Sequence, residues 1–256
     1  PESFGAKLDI LWLRPENDFL PDLEELESML RPNTKLVVLN NPNNPTGALL
    51  MGPNLEEFVA VVRTSGAYIL CDEVYRGTNQ VGNGFAPAMA DIYEKGISVS
   101  SMSKVFSLAG IRLGWIAAPR EVLEAVSIRR DYNTISVGMI DDYFASLALE
   151  NKEKIIGRSQ KITRGNLKIL DDWVLKEQSI SYKKPQAGTT ALLKYDFDIS
   201  SREFCIQLLR ETGVMFTPGS VMEMEGWLRI GYANSPEVLS QGLDLVSNFL
   251  SRMESR

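Results

Sequence analysis

Residues 35–47 read KLVVLNNPNNPTG. An unbroken apolar run, KLVVL (35–39), stops abruptly in asparagines and prolines. A short apolar run without alternation is what a strand buried on both faces of a parallel sheet requires. Asparagine and proline are turn residues, so the next eight positions, NNPNNPTG (40–47), must leave that strand as a turn. The same punctuation recurs downstream. AYILC (67–71) runs into DEVYRG, and GISVSS (96–101) runs into MSKVFSLAGIRLG. Between the strands lie helical patterns: DLEELESMLR (22–31), and NLEEFVAVVRTSG (54–66), with Asn54 available as N-cap and glycine after its end. KLDILWL (7–13) and LGWIAAP (113–119) complete the expected strands. This rhythm specifies an α/β domain with a mainly parallel sheet and flanking helices.

The second half changes character. EVLEAVSIRRDY (121–132) and residues 141–177 have helical spacing, one helix being long. Then come ISYKK, TTALLKYDF, a helix near SREFCIQLLRETG, WLRIGYAN, and a final helix beginning PEVLSQGL. Residues 1–160 are expected to form the large domain and 161–256 a smaller α+β domain.

The chain has 256 residues, 44% of them apolar, enough for one large core or two modest ones. Its formal charge is −6, with no basic block, which argues against nucleic-acid and anionic-membrane partners. Cys71 and Cys205 lie far apart and suggest neither a disulfide framework nor a metal site. A cytoplasmic setting fits this usage. There is no histidine, so triads and proton shuttles that depend on it are excluded, and acid–base work falls to Lys, Asp, Glu, Tyr or Cys.

Ligands of open parallel sheets bind beyond the carboxyl ends of the strands. Asn44, Asp72, Tyr75, Lys104 and Arg112 all follow such ends, about thirty residues apart, the span of a βαβ unit. A lysine desolvated by apolar neighbours is a nucleophile suited to Schiff-base chemistry. A carboxylate at a strand end can keep a heteroaromatic nitrogen protonated, as pyridoxal phosphate requires to act as an electron sink. Tyrosine and asparagine can bond a phenolic oxygen, and serines with an arginine fork suit a phosphate. Taken singly, each feature has a plainer reading: NPNNP as a turn, Lys104 as a surface lysine, Arg112 and Arg229 as ion-pair partners. Their order along the chain is what favours chemistry. Cys71 and the four tryptophans, Trp12, Trp115, Trp173 and Trp227, are assigned to packing at the core or a domain edge.

SMSKVFSLAGIRLG (101–114) resembles the cofactor-attachment signature of the class I and II aminotransferases, the fold-type I pyridoxal-phosphate enzymes. NPTG (44–47), DEVY (72–75) and WLRIGYAN (227–234) resemble three further elements of that family, in the family's order. The resemblance implies that Lys104 forms the internal aldimine and moves a proton between Cα and C4′. It implies that Asp72 pairs with the pyridine nitrogen, that Tyr75 and Asn44 bind the ring oxygen, and that Ser101, Ser103 and Arg112 hold the phosphate. Arg229, assisted by Asn44, would grip the substrate carboxylate. It implies a homodimer that moves an amino group from an amino acid to a 2-oxo acid. The alternatives on the same scaffold are a C–S or C–N lyase, and a non-catalytic sensor domain. Residues 131–142 carry no arginine, which favours a neutral donor over a dicarboxylate. Residues 1–39 contain one glycine, Gly5, and lack the glycine-rich phosphate turn that the family carries. The expectation is therefore a family member whose N-terminal part, with that turn and a ring-stacking aromatic, precedes Pro1.

Overall fold

The computed structural model describes residues 2–255. They divide into two compact units. The first comprises residues up to Pro42, Ala48–Val74 and Ala86–Leu149. The second comprises Asn43–Gly47, Tyr75–Phe85 and the chain from Glu150 onward. The division expected near residue 160 falls inside a continuous helix, so the main crossing lies instead at Leu149/Glu150. Two short loops, 43–47 and 75–85, also join the second unit, which sequence spacing cannot reveal because each is bracketed by strands or turns of the first.

The first unit is built on four strands in spatial order: β1 (Leu36–Asn40), β2 (Tyr68–Asp72), β3 (Gly96–Ser101) and β4 (Gly114–Ala117). β1, β2 and β3 are parallel, each pair being joined through a helix. β4 runs antiparallel to β3, because residues 102–113 form a tight loop and not the crossover a parallel return needs. Helices α1 (Leu23–Met29), α2 (Pro53–Ser65), α3 (Met89–Ile92), α4 (Arg120–Arg130) and α5 (Met139–Glu150) complete it. α1 begins where the Asp22 carboxylate accepts the N–H groups of Glu24 and Glu25. α2 starts two residues earlier than expected: Gly52 and not Asn54 is its N-cap, Pro53 opens the first turn, and Asn54 lies inside the helix. It stops at Gly66, whose φ of 69° is the left-handed conformation that ends helices. Leu55, Phe58, Val62 and Ile69 form the centre of this unit's core.

Residues 7–13 are not a strand. Leu8, Ile10 and Trp12 are exposed, and the apolar alternation finds no ladder partner among the described residues. Trp115 is also exposed and Trp227 is half-buried; of the four tryptophans only Trp173 is buried in a core.

The second unit is an antiparallel sheet covered by helices on one face. Its helices are α6 (Lys152–Val174), α7 (Ser201–Thr212) and α8 (Pro236–Glu254). Its strands are β5 (Ile180–Tyr182), β6 (Thr190–Tyr195), β7 (Thr217–Pro218) and β8 (Trp227–Gly231), in spatial order β5-β6-β8-β7. The long helical stretch is interrupted at Asn151, which separates α5 from α6. Alternation along the strands sorts the side chains. Ala191, Leu193, Leu228 and Ile230 face the helices and meet Phe204 and Phe249 in the core. Thr190, Leu192, Arg229 and Thr217 fall on the opposite face.

Candidate functional site

The turn after β1 sorts its four asparagines. Asn40 donates to the Asp72 carbonyl (3.0 Å), tying the ends of β1 and β2. Asn41 is buried and brackets Leu50, donating to its carbonyl (2.8 Å) and accepting its N–H (2.9 Å). Asn43 accepts the Thr46 hydroxyl (2.7 Å). These three side chains hold the turn and the strand ends together. Asn44 differs: its carboxamide is exposed and donates at 3.5 Å to the hydroxyl of Tyr75. Gly47 closes the turn with φ of 72°, and any Cβ there would sit 2.4 Å from Cβ of Pro185.

At the end of β2, Cys71 is packed and 2% exposed, and burial pushes its thiol well above the ordinary range. The next side chain on the strand, Asp72, is half-buried, and its Oδ1 accepts the Val74 N–H (3.1 Å). Glu73 points elsewhere: it is buried, accepting the Met89 N–H and the Ser98 hydroxyl at 2.7 Å each, so it anchors α3 to β3. Asp72 and Ser101 therefore stand at the ends of adjacent parallel strands, with Asp72 in register with Val99.

The loop after β3 is pinned by what it buries. Met102, Val105 and Phe106 are inside, and Met102 exchanges backbone bonds with Leu113 (3.0 Å) and Leu108 (2.9 Å). Phe106 meets Trp115 edge-on, with ring centroids 6.3 Å apart. With those three inward, Lys104 stands outward and exposed, and Ser103 is half-buried, its N–H donating to the Ser101 hydroxyl (3.2 Å). Arg112 sits in the left-handed region at φ 49°, a conformation costing on the order of 1 kcal/mol for a residue other than glycine. Its guanidinium donates to the Ala109 carbonyl (2.6 Å) and is otherwise exposed.

The structure thus gathers the eight sequence-derived residues in two groups. Asp72, Ser101, Ser103, Lys104 and Arg112 share the strand-end rim of the first unit. Asn44, Tyr75 and Arg229 belong to the second. Tyr75 is buried, and its carbonyl accepts the Thr78 hydroxyl (2.6 Å), which in turn accepts the Gly188 N–H (2.8 Å). Arg164 and Gln160 of α6 donate to the carbonyls of Asn79 and Gly77, fastening the rest of that loop. Arg229 is half-buried on β8 and donates to the Thr217 hydroxyl (3.2 Å). Among the described residues no carboxylate pairs with it. Beyond Arg229, β8 ends at a buried polar knot. Tyr232 donates to the Gly188 carbonyl (2.9 Å), and Asn166 donates to the carbonyls of Tyr232 (2.7 Å) and Asn234 (2.6 Å). Burial drives the Tyr232 phenol well above the usual tyrosine range.

Thr78, Thr190 and Thr217 are contacts that sequence reasoning missed. Thr190 donates toward the Asn44 carboxamide oxygen (3.5 Å) and the Pro45 carbonyl (3.3 Å). No motif marks these threonines: the strand register brings Thr217 to Arg229, while Thr78 and Thr190 meet loop and turn residues far away in the chain.

A half-buried carboxylate, an outward amine, two hydroxyls and a guanidinium on one rim fit a phosphorylated aldehyde with a ring nitrogen. No described helix is long and apolar enough to cross a membrane. Comparison with known proteins gives the family. The family model for aminotransferase class I and II matches residues 3–244, and the chain belongs to that family. Its sheet and flanking helices are those of fold-type I pyridoxal-phosphate enzymes. The chain is similar to a pyridoxal-phosphate-dependent aminotransferase from Streptococcus suis 89-1591, with 42% identity and a TM-score of 0.94 over 98% of this chain and 67% of that one. It is 30% identical to capreomycidine synthase of Streptomyces vinaceus, over 96% of this chain and 63% of that protein. It is 31% identical to aromatic-amino-acid aminotransferase 2 of Thermococcus litoralis, over 92% of this chain and 62% of that protein. The chain therefore spans less than two thirds of the length of these curated relatives.

Proposed function

We propose that this chain serves a pyridoxal-phosphate-dependent aminotransferase, moving an amino group from an amino acid to a 2-oxo acid. The observation that carries the reading is the rim of the first unit, where Asp72 and Lys104 follow adjacent parallel strands in a chain of this family. Pyridoxal phosphate, when bound, supplies an electron sink for charge that develops at the substrate Cα. Asp72 is suited to hold the ring nitrogen protonated. Ser101, Ser103 and Arg112 are suited to the phosphate. The Asn44 carboxamide and the Tyr75 hydroxyl, already in contact, are suited to the ring oxygen. Lys104 is the amine that would hold the cofactor's aldehyde carbon, and its side chain would take and return the proton at the substrate Cα. Arg229, without a carboxylate partner among the described residues, is suited to the substrate's α-carboxylate.

The absence of arginine from residues 131–142 favours a neutral donor. Relatives named aspartate aminotransferase and aromatic-amino-acid aminotransferase make a panel of donors the way to decide it. A homodimer belongs to the reading. It is supported by the apolar side chains left exposed around α5, among them Ile135, Met139, Ile140 and Phe144. The second reading is a C–S or C–N lyase on the same scaffold; relatives on that scaffold carry names other than aminotransferase, one being a synthase.

The test is an absorbance spectrum of the purified protein with pyridoxal phosphate added, wild type beside Lys104→Ala, followed by amino-acid donors. The expected result is a new band near the visible edge that the variant lacks, and 2-oxo acid formed on adding donor. A wild type without the band overturns the cofactor assignment. Release of pyruvate and ammonia in place of transfer replaces the aminotransferase with a lyase.

A further inference from the structure

We propose that Thr217 is a positioning residue for Arg229, setting its guanidinium for a carboxylate ligand. The proposal rests on the function proposed above and adds the group that orients its anion site. Thr217 and Arg229 are directly opposed across the β7–β8 ladder, so their side chains share one face of the sheet. The Arg229 Nη2 donates to Thr217 Oγ1 at 3.2 Å. On the other flank Leu192 is the register partner of Arg229 across β6–β8 and is 1% exposed. Arg229 thus stands on the sheet face between a hydroxyl residue on β7, which its guanidinium touches, and an aliphatic residue on β6.

Thr217 is well placed to be rigid. Its β-branched side chain has few allowed rotamers. The following Pro218 restricts its backbone to the extended region that the ladder needs. A flexible arginine carries considerable rotamer entropy, and fixing it in advance removes part of what a ligand would otherwise have to order. Thr217 engages one N–H and leaves a two-pronged edge of the guanidinium for a carboxylate. The hydroxyl is neutral, so it orients the cation without competing for its charge as an aspartate would.

The experiment titrates hexanoate and its neutral isostere hexanamide into the protein saturated with pyridoxal phosphate, following binding by ligand-observed NMR. Wild type is set beside Thr217→Val, Thr217→Ala, Thr217→Ser and Arg229→Met. Wild type should prefer hexanoate. Thr217→Val and Thr217→Ala should each bind hexanoate about tenfold more weakly, as expected on losing a hydrogen bond to a charged group, with hexanamide unchanged. Thr217→Ser should restore most of the preference, and thermal melting of all variants reports folding separately. A role in packing alone would weaken both ligands together or neither, and serine would not rescue. Wild-type hexanoate binding in Thr217→Val and Thr217→Ala, with Arg229→Met defective, overturns the role of Thr217 and leaves the function standing. Equal binding of both ligands by wild type and Arg229→Met overturns the anion site itself and this inference with it.

Discussion

Lys104 and Arg229 are both cations placed by strands, yet the two units hold them by different means. Lys104 gets its direction from the backbone and from what lies beneath: Met102, Val105 and Phe106 are buried, so the lysine between them must point out. Arg229 gets its direction from a neighbour on the sheet face, the hydroxyl of Thr217 on the paired strand. The same contrast runs through both units. In the second unit, the sheet face toward α6, α7 and α8 is closed by Phe204, Leu243 and Phe249, and the loop 75–85 is fastened to α6 by Arg164 and Gln160. In the first, α4 has no buried residue, and apolar side chains on α4, β4 and α5 lie open. Positioning by buried backbone tolerates a change at the functional tip. Positioning by side-chain partners does not tolerate a change at the partner.

The largest test of this contrast is in packing. Phe204→Ala removes a fully buried ring from the second unit and should cost about 3–5 kcal/mol of stability, read by urea unfolding. Ile128→Ala, at a position 67% exposed on α4, should change it by less than about 0.5 kcal/mol. Similar costs at the two sites would dissolve the distinction. A smaller effect comes from the turns. Gly47→Ala meets both a positive φ and the Pro185 contact, and should destabilise by about 2 kcal/mol. Gly110→Ala, in the loop that carries Lys104, meets nothing within 4 Å and should be nearly silent.

The smallest effect is a matter of pH. Glu225 accepts the Ser201 N–H, the Ser201 hydroxyl (3.1 Å), the Tyr195 hydroxyl (3.2 Å) and the Gly226 N–H (3.4 Å). The Ser201 N–H is the leading cause that holds its carboxyl below the usual range. The same cluster, after burial, helps push the Tyr195 phenol up to about 12. A depressed carboxyl contributes stability that is present above its unfolded value, about 4.3, and is lost as pH falls through the lower folded value. The wild-type melting temperature should therefore drop more steeply below about pH 5 than that of Glu225→Gln, which should melt lower at neutral pH. Parallel curves would remove Glu225 from the account of the second unit.

The contrast also explains what could be read from sequence. The parallel strands, the turns after them and the order Asn44, Asp72, Lys104 were legible, because burial on both faces and turn chemistry are written in consecutive residues. KLDILWL has the pattern of a strand, but a strand also needs a ladder partner, and sequence cannot supply that knowledge. The direction of β4 depended on the length of a loop whose helix-like composition hid its compactness. The division falls at the junction of α5 and α6 and not near 160, since the helical spacing of residues 141–177 does not mark the break at Asn151. Thr217 and Thr190 were invisible, since they act through register across strands far apart in the chain.

The most direct measurement is borohydride reduction of the protein with pyridoxal phosphate, followed by proteolysis and peptide mass spectrometry. The account predicts that the cofactor's mass is fixed on the peptide containing Lys104, and that Lys104→Ala melts like wild type but retains no label there. Label spread over many exposed lysines, or label absent from Lys104, would contradict it.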